Sequence, residues 1–348
     1  MKRRDQPDRT GPDRTGPDPF DSRPDWAQAS SVAIGRALAA AQEKPDGGWF
    51  VVDATRVLSR LRGPKRYEVA DRELVAWTAN GVVQVAPGAC PHMGADLASG
   101  RVAGGCLVCP WHGLNLRAGR SAHGHREHEP REHGQREWAP HRVHHDGVLT
   151  WVQLDPTAPG ASPAPALPLR PTEYLDGVVR REAVCEPADI LANRLDPWHG
   201  AHFHPYAFAR LQVTHYSDDA LHLRVAYKVV PGYSIEVGAR FDCPDARTIV
   251  MTITEGEGSG SVVETHATPM RSYNSPLGPG PNTAIVEATL GTSDRAGFVH
   301  ARRGTALARP IIKLMASRLW RDDARYAERT YELRRRKLEA LASELDRR

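Results

Sequence analysis

The sequence predicts an α+β protein of two unlike parts: a small domain of short strands, then a larger antiparallel sheet closed by helices. Three observations point to this. Short β-patterned runs fill the first part, from Trp49-Phe50-Val51-Val52 to Val148–Leu154. A stretch with six prolines, Asp155–Thr172, separates the two parts as a semi-extended linker. Longer alternating runs follow, and then a helical stretch beginning at Pro310. With 348 residues the chain is long enough for two cores. The expected division is a tail at 1–25, a first domain at 26–155, a linker at 156–172 and a second domain at 173–348.

In order along the chain, residues 1–25 are expected to be disordered. The unit PDRTG occurs twice, at Pro7–Gly11 and Pro12–Gly16, and little in this stretch can be buried. Asp25 or Ser30 can cap a helix through Val32, Ile34, Leu38 and Ala41, which Gly47-Gly48 ends. Strands are expected near Trp49–Val52, Tyr67–Ala70, Leu74–Thr78 and Val82–Ala86. Seven of the sixteen histidines fall between Ala122 and His145: His123, His125, His128, His133, His141, His144 and His145. Such tracts can bind metal, but a solvated insertion loop is the expected reading. Beyond the linker, strands are expected at Ala220–Val230, Tyr233–Phe241, Thr248–Glu255, Ser261–Thr268 and Ala284–Thr289. Pro310 suits the first turn of a helix, and Ile312, Met315, Ala316 and Leu319 then share one face.

Composition excludes several classes. Hydrophobic residues make up 40% and charged residues 25%, as in ordinary globular proteins. No apolar run approaches the ~18 residues of a membrane span, and the early residues lack the apolar core of a signal peptide. A net charge of +4 is too small to point to nucleic acid. The excess is local: residues 302–348 hold fourteen Lys and Arg against seven Asp and Glu, either a solvated helical face or a docking patch for an acidic redox partner. Five cysteines (Cys90, Cys106, Cys109, Cys185 and Cys243) show no disulfide framework, so a cytoplasmic location is expected. Cys106 is expected to be a half-buried strand thiol.

The most informative stretch is CPHMGADLASGRVAGGCLVCPWHG, Cys90–Gly113. Cys90 and His92 form a Cys-x-His pair, and Cys109 and His112 a Cys-x-x-His pair. Two thiolates and two imidazoles in this order suit a [2Fe–2S] centre in which both cysteines hold one iron and both histidines the other. A zinc site fits less well, because its first pair is usually spaced C-x2–4-C. Pro91 and Pro110 fix the backbone after each cysteine, and Gly94 and Gly113 permit tight turns beside each histidine. These two loops resemble those of the Rieske proteins. Met93 and Leu114 depart from that pattern, at positions where Arg and Trp are frequent. Neither is a ligand, and both bear on the tuning of the reduction potential.

A second stretch, Asn193-Arg-Leu-Asp196-Pro-Trp-His199-Gly-Ala-His202-Phe-His204-Pro205, crowds three histidines into six positions. On helical geometry alone, His199 and His202 are i,i+3 neighbours, whereas His199 and His204 point about 140° apart. The stretch resembles the N-x2-D-x2-H-x4-H signature of the Rieske non-haem iron oxygenases, at Asn193, Asp196, His199 and His204. The resemblance spans roughly residues 49–340. It implies a helix-grip-like catalytic domain with a mononuclear Fe(II), held by His199, His204 and an aspartate of the C-terminal helix, on a distorted helix that turns His204 inward. Two imidazoles and a carboxylate on one face leave positions open for O2 and substrate. Asp323 is the expected carboxylate, with Asp322 as near rival and Asp294 as a distant one. Asp196 is implied to bridge an iron-binding histidine to His112 of the partner subunit, or simply to cap a helix before Trp198. A homotrimer follows from that bridge.

The resemblance thus implies a terminal oxygenase fed by a ferredoxin or flavin reductase. Its substrate is expected to be an apolar, cyclic small molecule that is hydroxylated, demethylated or desaturated. The alternative from another class is a Rieske electron carrier or redox sensor with a non-catalytic second domain; a histidine-rich metal-handling protein is a third reading. No nucleic-acid partner and no membrane span are expected.

Overall fold

The computed structural model describes residues 29–116, 138–204, 206–230, 233–295, 297–345 and 347. The tail at 1–25 and His123, His125, His128 and His133 of the histidine tract lie outside the described residues. Ser30 starts the first helix, α1 (Ser31–Gln42), by accepting the Ala33 N–H on its side chain at 3.2 Å.

Three small antiparallel sheets follow. The chain runs through β1 (Trp49–Ala54), a single turn α2 (Thr55–Leu58), β2 (Lys65–Val69), β3 (Arg72–Ala79) and β4 (Val82–Pro87). Then come β5 (Arg101–Ala103), β6 (Cys106–Val108) and β7 (Asn115–Leu116), and after the break β8 (Arg142–His145) and β9 (Leu149–Gln153). The sheet orders are β1-β9-β8, β2-β3-β4 and β5-β6-β7. Trp77, Leu97, Leu107 and Leu116 form a buried layer beneath the β5-β6-β7 sheet. Cys106 lies on β6 and is half-buried.

The end of the expected insertion loop is corrected. Residues 142–145 are strand β8, and their histidines are structural: His144 meets Trp49 edge-on at 6.2 Å, and His145 Nδ1 lies 3.0 Å from Thr150 Oγ1.

The second part is one seven-stranded antiparallel sheet with helices on one side. In chain order it contains β10 (Leu175–Ala183), α3 (Pro187–Leu195), α4 (Pro197–Phe203), β11 (Phe208–Tyr216), β12 (Leu221–Val230), β13 (Tyr233–Asp245), β14 (Thr248–Gly256), β15 (Val262–Arg271), β16 (Asn282–Gly291), α5 (Phe298–Arg303) and α6 (Thr305–Leu345). The strand order is β10-β16-β15-β14-β13-β12-β11. Ile285, Ala267, Ile249 and Ala239 of its inner face pack with Ile190 and Leu191 of α3 and Trp320 of α6. The α+β class and the order of a strand-rich first part and a helix-covered antiparallel sheet are as the sequence implied.

Two placements differ from expectation. Helix α1 was assigned to the first domain, but Ala37 and Ala41 bury in the second domain's core, and Lys44 Nζ donates to the Cys243 carbonyl at 2.7 Å. Its small alanine face lies close to α3 and β13. The C-terminal helix starts at Thr305 rather than Pro310, which lies inside it. Lying past the first turn, that proline removes one i→i−4 hydrogen bond from the helix.

The linker also does more than space the domains. Arg170 grips Glu264 of β15 with Nε and Nη2, at 2.5 and 2.6 Å, and Asp146 before β9 at 3.0 Å. Both carboxylate side chains are fully buried. A second clamp joins Arg271 to Glu68 of β2 at 2.6 and 2.9 Å. Among the described residues no helix is long and apolar enough to cross a membrane.

Candidate metal centres and substrate cavity

The two Cys-Pro loops close in the same way. Gly94 N–H donates to the Cys90 carbonyl at 2.8 Å, and Gly113 N–H to the Cys109 carbonyl at 3.1 Å. Each glycine takes a left-handed φ, +78° and +69°, which a side chain would strain. The cysteine N–H of each loop is held in turn, Cys90 by the Ala95 carbonyl and Cys109 by that of Leu114, both at 2.9 Å. This leaves the Cys90 and Cys109 side chains buried side by side, and burial, with Cys109 alongside, pushes the Cys90 thiol up. His92 and His112 are exposed, with ring centroids 4.9 Å apart and planes at 75°. Two sulfurs on the protein side and two imidazoles on the solvent side are a donor set that would hold a [2Fe–2S] cluster, the cysteines on one iron and the histidines on the other. Met93 and Trp111 beside them are 63% and 60% exposed, so the tip presents an apolar rim.

The second constellation lies at the junction of α4 and α6. His199 Nε2 and His204 Nε2 approach the same oxygen, Asp323 Oδ1, at 3.2 and 2.6 Å. The three donor atoms lie within 4.8 Å of one another. His204 and Asp323 are buried, and His199 is half-buried. Burial alone would raise the Asp323 pKa, but hydrogen bonds from the two imidazoles outweigh it and hold the carboxyl well below the usual range. Two imidazoles and one carboxylate on one side of a cavity could hold a metal ion and leave its other face open, an arrangement suited to ferrous iron. His202 is on the exposed side of α4, and Asp294 is exposed; neither joins this group.

The route by which His204 turns inward differs from the expected distorted helix. Helix α4 stops at Phe203, and His204 is its C-cap, with φ −117° and ψ 55°. The residue before a proline is pushed out of helical conformation, and Pro205 follows. Leaving the helix frees the imidazole from the angular rule that favoured His202.

Each histidine is oriented through its other nitrogen. His199 Nδ1 donates to the Asp196 carbonyl at 2.6 Å. His204 Nδ1 donates to Tyr206 Oη at 3.2 Å, and that hydroxyl donates to Asp322 Oδ2 at 3.0 Å. Asp322 thus supports the site through Tyr206. Burial and then the Asp322 hydrogen bond push the Tyr206 phenol up to about 12, so it stays protonated at neutral pH. The sequence carried one signal for Tyr206, its place two residues after His204. Asn193 is fully buried, with Nδ2 3.4 Å from His199 Nε2.

Asp196 does cap α4: its Oδ1 accepts the Trp198 N–H at 3.0 Å. Its Oδ2 accepts the Tyr326 hydroxyl at 3.0 Å. Its link to His199 therefore runs through the main-chain carbonyl and not through the carboxylate, which departs from the bridge the resemblance implied. Part of the basic excess of residues 302–348 is paired, Arg334 with Asp189 and Glu186, Arg329 and Arg336 with Glu332, and Arg335 with Glu339.

A cavity of ≈ 300 Å3 opens from the triad, between the sheet and α6. Leu211, Leu223, Val225, Phe241, Met251 and Leu319 give it an apolar wall. Its size is at the lower end for small-molecule sites.

The fold and the two constellations together resemble the architecture of the Rieske non-haem iron oxygenases. Residues 48–139 match the Rieske [2Fe-2S] domain. Residues 157–338, over half of the chain, match the family described as a domain of unknown function, DUF5914. The chain belongs to that family. Among solved structures it is similar to dicamba monooxygenase bound to 3,6 dichlorosalicylic acid, at 18% identity over 85% of this chain and 90% of that one, with a TM-score of 0.62. The same enzyme bound to dicamba aligns at 18% identity over 85% and 90%, with a TM-score of 0.56. A Pseudomonas putida CBB5 NdmA QL mutant with theobromine aligns at 16% identity over 80% and 82%, with a TM-score of 0.48. No curated protein matches the sequence.

Proposed function

We propose that this chain is the terminal oxygenase of a Rieske non-haem iron system. It uses O2 and electrons from a ferredoxin or flavin reductase to hydroxylate or oxidatively demethylate an apolar, cyclic small molecule. The observation that carries this reading is the convergence of His199, His204 and Asp323 on the wall of an apolar cavity, in a chain that also carries a Rieske domain. When bound, ferrous iron at the triad supplies the oxygen chemistry and the [2Fe–2S] cluster at Cys90, His92, Cys109 and His112 supplies electrons.

The chain's own residues set the conditions. The Asp196 carbonyl and the Tyr206 hydroxyl fix both imidazoles with Nε2 turned toward Asp323, where they would hold the iron with raised basicity. Asp323 contributes the negative charge of the triad. The hydrocarbon wall displaces water from the open face and holds an apolar substrate beside it.

Exposure of His92 and His112 at an apolar tip supports transfer across a subunit boundary, and hence a homotrimer in which His112 of the partner subunit docks near Asp196. Tyr326 holds the Asp196 carboxylate for that contact. Cysteines without a disulfide framework support a cytoplasmic location.

Iron and sulfide analysis with low-temperature EPR tests the assignment. Wild type should hold about three iron and about two sulfide per chain. Asp323→Ala should lose one iron while the reduced-cluster signal survives. Unchanged iron in the variant would remove the oxygenase reading.

A further inference from the structure

Apart from the triad and Asp196, the cavity wall carries two charged residues, Arg194 and Glu287. Arg194 follows Asn193 on α3. Its guanidinium lies 5.9 Å from the Phe241 ring centroid and 5.6 Å from that of Trp320. Glu287 sits on β16, 4% exposed, and accepts the Thr265 hydroxyl on Oε2 at 3.0 Å. The two meet only loosely: Arg194 Nη2 is 3.4 Å from Glu287 Oε2, beyond the ~3.2 Å limit of a good N–H···O bond. Arg194 Nε is buried and has no partner among the described residues. A guanidinium offers five N–H donors, and the wall around this one is mostly hydrocarbon, with the hydroxyl-bearing Tyr227 and Thr289 also lining the cavity.

Buried donors are normally satisfied, and those that are not call for an explanation. An oxygen from a bound molecule can meet this under-satisfied guanidinium, whose side chain lines the cavity and is 16% exposed. The charge of that molecule is constrained by Glu287. Burial pushes the Glu287 carboxyl up even with the Arg194 guanidinium beside it, so this wall already disfavours one negative charge, and a second carboxylate would add to that cost in a place poor in water. A carbonyl or hydroxyl oxygen takes the open N–H without adding charge.

We propose that the Arg194–Glu287 pair selects an uncharged oxygen, a carbonyl or hydroxyl, on an otherwise hydrocarbon substrate. The inference rests on the reading of this cavity as an oxygenase's substrate site, and it narrows the substrate class to neutral oxygen-bearing molecules.

The test uses three probes of one shape: indane, 1-indanone and indane-1-carboxylate. Each is titrated into the iron-loaded protein without reductant and without O2, so that nothing turns over, with tryptophan fluorescence and calorimetry as readouts. 1-Indanone should bind about ten- to a hundredfold tighter than indane, the scale of one hydrogen bond from a charged donor. Indane-1-carboxylate should bind more weakly than 1-indanone. In the double variant Arg194→Met with Glu287→Leu, which removes both charges together and leaves neither unpaired, the advantage of 1-indanone should vanish.

Equal affinities for indane and 1-indanone overturn the proposal. So do tightest binding of the carboxylate, an advantage that survives the double variant, or no saturable binding by any probe. The wild-type series decides the matter even if the double variant does not fold. Iron content measured on the same samples separates the two failures: missing mononuclear iron removes the oxygenase reading, while a flat probe series with full iron removes only this one.

Discussion

Tyr206→Phe isolates the support of one metal ligand. The substitution deletes a single hydroxyl and two hydrogen bonds, one from His204 at 3.2 Å and one to Asp322 at 3.0 Å. The ring is retained, and with it the packing of the Arg318 guanidinium 3.8 Å above its centroid. The Asp322 side chain is 20% exposed and can turn to water. His204 is only 2% exposed, so its Nδ1–H is left buried without a partner. That costs about 1–3 kcal/mol, equivalent to about 5- to 150-fold in an equilibrium constant. Loss of such an outer partner typically weakens metal binding by about 10–100-fold, and the two ranges agree. Anaerobic titration of metal-free protein with Fe(II) against a chromophoric chelator measures the affinity, while the visible spectrum of the cluster reports that the first domain is intact. Iron affinity within about twofold of wild type would refute the view that Tyr206 orients His204.

Three further outcomes follow from the fold. Arg170→Met leaves the buried carboxylates of Glu264 and Asp146 uncompensated and should lower stability by about 3–5 kcal/mol, measured from urea midpoints. The same group sets an acid response. Burial would raise the Glu264 and Asp146 pKa values, but hydrogen bonds from Arg170 hold both below the ordinary range. Their stabilisation is complete above the unfolded values near ~4 and is lost as pH falls through the folded ones; the wild-type urea midpoint should therefore drop below about pH 4, and the drop should shrink in Glu264→Gln. Gly113→Ala meets no atom within 4 Å but must hold φ +69°, a strain of about 1–2 kcal/mol; the temperature at which the cluster bleaches should fall, and an unchanged temperature would show that the turn relaxes.

The loops around Cys90 and Cys109 were readable because ligands, prolines and turn glycines fall within five residues of each other. Local chemistry there dictates local geometry. The seven-stranded sheet was only partly readable: β12 to β16 alternate visibly, while β10 and β11 went unmarked. Both are edge strands, and Phe208–Tyr216 mixes exposed and buried positions without a clean period. His204 illustrates a different limit. Helical spacing argued for His202, and the decisive residue was Pro205, whose effect is to end the helix. Asp323 lies 119 positions from His204, a separation that no local pattern spans; only the resemblance pointed to it. Arg194 and Arg170 were not singled out, because a lone arginine in sequence does not reveal the buried carboxylate it meets.

Helix α1 precedes the strand-rich domain in the chain, yet its alanine face lies in the core of the other one. The polypeptide therefore passes from the large body to the small one and back. A single cleavage in the proline segment would not release two intact halves. The small half would carry away a helix the large half needs, exposing the floor beneath Ala37 and Ala41. Exchange of either half thus requires two junctions, one on each side of Trp49–Leu154.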